Sequence, residues 1–136
     1  MKHQKRITND CPVSINSLGI LDSYFLTGVL VARARRKYHV NAPAVVGDPA
    51  FERVFRAQQN VLEWMPLFLP ALWLFAISLS DKWAAALGFL WSLARLGYIL
   101  AYGAAAEKRG PYFLSQLAVF IALWIGALIG TLRVLY

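Results

Sequence analysis

Charge is scarce in this 136-residue chain: Asp, Glu, Lys and Arg make up only 15% of it, while 59% is hydrophobic. Soluble domains carry about 25% charged residues, so the deficit excludes an ordinary water-soluble domain, as does a mean hydropathy of +0.50. Cysteine is almost missing. With Cys11 alone, one chain can build neither a disulfide framework nor a cysteine-based metal site. The only histidines, His3 and His39, lie far apart in sequence, so no metal site is expected. A Gly-rich phosphate loop is absent too, which argues against a nucleotide ligand. Lys2, Lys5 and Arg6 are not followed by an early apolar run ending in a small-residue cleavage site. No removable signal peptide is therefore expected, and the first span is expected to act as its own insertion signal.

The charge that is present is mostly positive, with 14 Lys and Arg against 7 Asp and Glu, a net +7 and a pI near 9.9. These cations are not interleaved with exposed aromatics on a soluble module. They sit at the ends of apolar stretches, where they set orientation and meet anionic lipid. Membrane lipid, and no nucleic acid, is the expected partner.

Four stretches of roughly 20 apolar residues occupy most of the length, leaving short loops and one domain over residues 1–136. Val13–Ala32 is the weakest span, interrupted by Asn16, Asp22, Ser23 and Thr27. Asp22 is expected to face the bundle interior or a partner subunit, with a direct functional role as the lesser alternative. Arg33, Arg35, Arg36 and Lys37 form a topological anchor after it. A loop with Pro43, Gly47, Asp48 and Pro49 leads to a second helix over Ala50–Ser78, where Pro66 and Pro70 are expected to bend the chain. Leu79–Lys82 is a short turn that makes spans two and three antiparallel neighbours. The third span is Trp83–Ala106. The fourth, Tyr112–Leu132, is free of charge, and its Gly126 and Gly130 suit close helix packing. The loops after spans one and three, with the adjoining helix ends, carry eight cations; the opposite side carries five. That bias puts both termini outside the cytoplasm.

Two polar stripes enter this apolar background. Arg56, Asn60 and Glu63 stand at i, i+4 and i+7, with Asn60 and Glu63 about 40° and 20° either side of Arg56 on a helix, and span about 10 Å of rise. Arg95, Tyr98 and Tyr102 form the second, with Arg95 and Tyr102 about 20° apart. Such groups are costly in hydrocarbon and normally face a bundle interior or watery pocket. A plain structural role, as ion pairs holding helices in register, competes with a ligand site. The clustering of both stripes towards one membrane face favours the ligand. Arginine forks match carboxylates, Glu63 matches an ammonium, Asn60 matches amides, and tyrosines add hydroxyls. A compact, peptide-like zwitterion fits this inventory.

The run Phe51-Glu52-Arg53-Val54-Phe55-Arg56-Ala57-Gln58-Gln59-Asn60, with Glu63 and Pro66-Leu67-Phe68-Leu69, resembles the signature of the MAPEG family, the membrane-associated proteins in eicosanoid and glutathione metabolism. Ala94-Arg95-Leu96-Gly97-Tyr98 with Tyr102-Gly103 resembles the family's third-helix motif. The likeness spans roughly residues 30–110. It is nearest the branch of microsomal glutathione transferases two and three and leukotriene C synthase. The resemblance implies an all-α, integral membrane, left-handed four-helix bundle, assembled as a homotrimer with glutathione between subunits. It implies Arg35, Arg56, Gln58, Asn60, Glu63, Arg95, Tyr98 and Tyr102 as glutathione contacts. It places Arg109 as the stabiliser of the glutathione thiolate and Arg36 as a proton donor. The implied activity is glutathione transfer to a lipophilic electrophile from the bilayer, with possible reduction of lipid hydroperoxides. Trp64 departs from the tyrosine of leukotriene C synthase, which favours a general transferase or peroxidase. Arg56 argues against the non-catalytic lipoxygenase-activating branch. A lipid-presenting scaffold of the same fold is the alternative function, and a small transporter the remote one.

Overall fold

The computed structural model describes residues 12–135; His3, Cys11 and the amino-terminal cations of the orientation count lie outside them. Four helices run in order: α1 (Pro12–Lys37), α2 (Pro49–Ser78), α3 (Asp81–Ala104) and α4 (Gly110–Leu135), with a 3-10 turn over Ala106–Arg109 between the last two. Each helix is long and apolar enough to cross a membrane. The α4 boundary includes the expected fourth span, whereas α1 continues past Ala32 to Lys37. Arg and Lys are good helix formers, and cations in a last turn interact favourably with the helix dipole, so the basic cluster extends the helix rather than ending it.

The end of α1 is set by backbone geometry. His39 adopts φ 56°, and the Val40 N–H reaches back to the Arg35 carbonyl at 3.0 Å, the six-to-one bond of a left-handed helix cap. The start of α2 is capped chemically. Asp48 Oδ1 accepts from the Ala50 N–H at 2.7 Å, Pro49 opens the first turn without losing a hydrogen bond, and Glu52 Oε1 accepts from the Gly47 N–H at 3.0 Å. From there α2 runs as one helix through both Pro66 and Pro70.

Packing divides by depth. The main core joins Val13 and Ile20 of α1, Phe68 and Leu72 of α2, Trp91 of α3 and Leu123 of α4. At its centre the Phe68 and Trp91 rings stack at 4.0 Å and 23°. Polar ties cross the same region: Asn16 donates to the Ala85 carbonyl at 2.6 Å, and the Trp73 indole donates to Ser17 at 3.0 Å. Asp22 is exposed on the outer side of α1, which removes the bundle interior as its surroundings.

Gly126 and Gly130 bring α4 against the end of α2. A Cβ at Gly126 would meet the Phe75 ring, and one at Gly130 would meet Ser78 and Leu79. The Gly126→Leu, Gly130→Leu double variant is expected to lose about 2 kcal/mol through overpacking, less a partial offset from better helix propensity. Thermal unfolding in detergent reads this; a melting temperature at or above the wild-type value would refute the close approach.

Candidate functional site

The α2 stripe emerges where the helix leaves the basic face. Arg56, Gln59, Asn60 and Glu63 fall at i, i+3, i+4 and i+7, one face of one helix. Opposite them, α3 presents Tyr98 and Tyr102, 4% and 9% exposed, packed on Ala57. These residues and Arg109 line a cavity of about 310 Å³. Arg56, Glu63 and Arg109 are exposed at its mouth, while Asn60 is half-buried. The walls therefore hold two cations, one anion, two amides and two phenols, a set suited to an ionic ligand with charges of both signs.

Arg109 reaches the cavity because the chain turns back. A straight α3 would carry it about 10 Å beyond Tyr102. Instead α3 ends at Ala104, Ala105 is extended at φ −157° and ψ 134°, and the 3-10 turn follows. The Arg109 guanidinium thus lies over the Tyr102 ring, 4.8 Å from its centre, within the same protomer as the α2 stripe. Tyr98 and Tyr102 are themselves neighbours, with ring centres 5.7 Å apart. The Tyr112 ring crosses Gly97, where a Cβ would collide with it, so α4 supports the helix immediately beside Tyr98.

Beneath the cavity lies Arg95, fully buried. One of its terminal nitrogens donates to Asn60 Oδ1 at 2.8 Å and to Gln116 Oε1 at 2.7 Å. The guanidinium is flanked by the rings of Trp91 and Tyr98, at 5.5 and 5.2 Å. Burying a cation costs much unless it is satisfied; here two amide oxygens meet one nitrogen and two aromatic rings flank the group, while its other two nitrogens have no hydrogen-bond partner.

Other residues singled out in the sequence lie elsewhere. Gln58 sits beside Gly28 of α1, its Nε2 3.4 Å from where a Cβ would stand. Arg35 donates to the Ala44 carbonyl at 2.7 Å and lies over the Phe51 ring at 5.1 Å, bracing the loop before α2. Arg36 is exposed on the last turn of α1. None of these three lines the cavity of the protomer. Trp64 turns its ring to α4, making edge contacts with Phe113 and Phe120 at 6.2 and 5.3 Å, also outside the cavity lining.

Gln59 and Gln116 were not singled out. Gln59 shares the Arg56 face by the i, i+3 rule. Gln116 is the sole amide in α4, and a strongly polar side chain in an apolar span usually faces inward.

The family model described as MAPEG family matches residues 18–129. The chain is 43% identical over 121 residues to an uncharacterized protein of Synechocystis sp., covering 89% of this chain and 88% of that protein. It is 39% identical over 111 residues to microsomal glutathione S-transferase 2 of Bos taurus, covering 82% of this chain and 75% of that one. Against leukotriene C4 synthase of Rattus norvegicus it is 39% identical over 117 residues, 85% and 77% of the two chains. With four membrane-length helices and these relatives in agreement, the chain is an integral, multi-pass membrane protein and belongs to the MAPEG family.

Proposed function

We propose that this protein is a membrane-bound glutathione S-transferase that conjugates glutathione to lipophilic electrophiles drawn from the bilayer. The observation that carries the reading is the meeting of Arg56, Asn60 and Glu63 from α2, Tyr98 and Tyr102 from α3, and Arg109 from the turn on a single cavity. Relatives named microsomal glutathione S-transferase 2 and leukotriene C4 synthase support it. Arg56 takes a carboxylate of the tripeptide, Glu63 its ammonium, and Asn60 with the two phenols its polar backbone. Arg95 contributes from below, through Asn60. In a homotrimer, Arg35, Arg36 and Gln58, which lie outside the protomer's own cavity, are available to a neighbour's glutathione, with Arg36 as proton donor. The site opens to the cytoplasm, from a bacterial inner membrane or the endoplasmic reticulum.

The reacting sulfur needs to be a thiolate, and a free thiol titrates near 8.5. The Arg109 guanidinium beside it favours the anion and so lowers that value. The thiolate attacks an electrophilic carbon, the carbon–sulfur bond forms, and a leaving group such as chloride departs; the thiol proton goes to solvent. With a lipid hydroperoxide, two glutathiones are oxidised to their disulfide while the hydroperoxide becomes alcohol and water.

Detergent-purified protein given glutathione and a panel of chlorinated nitroaromatics and lipid hydroperoxides is expected to turn over at least one of them. Glutathione binding with no turnover on any member would favour the lipid-presenting scaffold, and no binding at all would end the glutathione reading. Within the same assay, Glu63→Gln is expected to raise the KM for glutathione about tenfold, the weight of a charge-assisted hydrogen bond. That penalty should vanish with a glutathione analogue lacking the α-amino group. A penalty of equal size with both thiols would remove Glu63 from the ammonium.

A further inference from the structure

Gln116 is the one amide of α4, and it is 0% exposed. Both ends of its side chain are engaged. Its Nε2 donates to the Ala94 carbonyl at 3.4 Å, and its Oε1 accepts from Arg95 at 2.7 Å. The same Arg95 nitrogen donates to Asn60 Oδ1 at 2.8 Å. A chain of three polar side chains therefore runs from α4 through α3 to the α2 wall of the cavity.

The chemistry of the middle member gives this chain a direction. A guanidinium has donors and no acceptor, so any amide touching it must turn its oxygen inward. Asn60 lines the cavity, and with its oxygen held by Arg95, its NH2 group is the part left to face a ligand. Arg95 has donors to spare: its Nε and its second terminal nitrogen are buried without a hydrogen-bond partner. Left to itself, the head group has several nitrogens with which to seek oxygens nearby. Gln116, anchored on the α3 backbone, selects the arrangement in which one nitrogen serves both amides.

We propose that Gln116 is a positioning residue for the ligand site: through Arg95 it fixes Asn60 so that the cavity presents an N–H pair to an acceptor-rich part of the ligand, a carboxylate or amide carbonyl. The ligand class rests on the glutathione reading above. Gln116 touches neither the ligand nor the reacting atoms, and its effect is confined to how the thiol substrate is held.

The test is a double-mutant cycle on the full chain in detergent, read by equilibrium glutathione binding and by separate KM values for glutathione and the electrophile. Gln116→Leu is expected to weaken glutathione binding about fivefold to tenfold, the equivalent of one well-made hydrogen bond, with the electrophile KM unchanged. Gln116→Glu, which keeps an oxygen towards Arg95, is expected to bind within about twofold of wild type on the same scale. In an Asn60→Ala background, Gln116→Leu should have no further effect, because residues acting through one another are not additive. Gln116→Met, unbranched and similar in volume, replaces the leucine variant if that one does not fold. Equal losses in both backgrounds, or no loss in a wild type that binds glutathione, overturn the positioning role alone. A wild type that binds no glutathione overturns the parent reading, and this role with it.

Discussion

Arg109→Ala is expected to cut the rate of glutathione conjugation at pH 7 about thirtyfold. The size follows from thiol chemistry: with a pKa near 8.5, only about 3% of a thiol is thiolate at pH 7, so complete stabilisation of the anion multiplies the reactive fraction by about thirty. The sign also sets the pH dependence. A guanidinium beside the sulfur would lower the thiol pKa, so the wild type should keep its thiolate, and its rate, across pH 7 to 9. Without the guanidinium the thiol pKa returns upward, and the variant should recover steadily as pH rises towards 9. Arg109→Lys retains a cation without the planar fork and is expected to fall between the two. Lys108→Ala, one residue away on the same turn, serves as the control for charge alone. A variant with the wild-type rate and a flat profile would take Arg109 out of the chemistry.

The largest loss of stability is expected at Trp91. Its side chain is 0% exposed and stacks on Phe68 at 4.0 Å, in the core shared by all four helices. Trp91→Ala leaves a void that small shifts of rigid helices cannot close, at about 3 kcal/mol. That is the lower end for such truncations, since helix association in lipid depends on close packing and dispersion rather than on water exclusion. For a chain of this length the melting temperature in detergent should fall by about 10 °C. Trp83, at 68% exposed, is the matched control, and Trp83→Ala should shift melting by no more than about 2 °C. Equal shifts for the two would mean that the Phe68–Trp91 stack is not where the bundle holds together.

Much of this fold was readable from apolar run lengths, because a bilayer demands long helices and little else. The α2 stripe was readable for a related reason: polar groups on a helical period, at the edge of hydrocarbon, have few places to go. The same wheel explains the position of Gln58. Two residues from Arg56, it lies about 200° round the helix, so it faces α1 while Arg56 faces the cavity. The return of Arg109 was hidden, since it depends on one extended residue, Ala105, whose conformation no spacing rule announces. The link from Gln116 to Asn60 was hidden because its members come from three helices, and contact between them exists only after packing.

The corner between α3 and α4 has a consequence for the timing of recognition. Ala105 alone separates α3 from the 3-10 turn, and α4 begins at the residue after Arg109. Arginine carries about 2 kcal/mol of rotamer entropy, which a cation on a long, slack loop would surrender when its ligand arrives. On this corner, with the guanidinium already resting on the Tyr102 ring, part of that ordering is complete before any ligand is present. On the proposed reading, a thiolate arriving there would meet a cation that has little searching left to do.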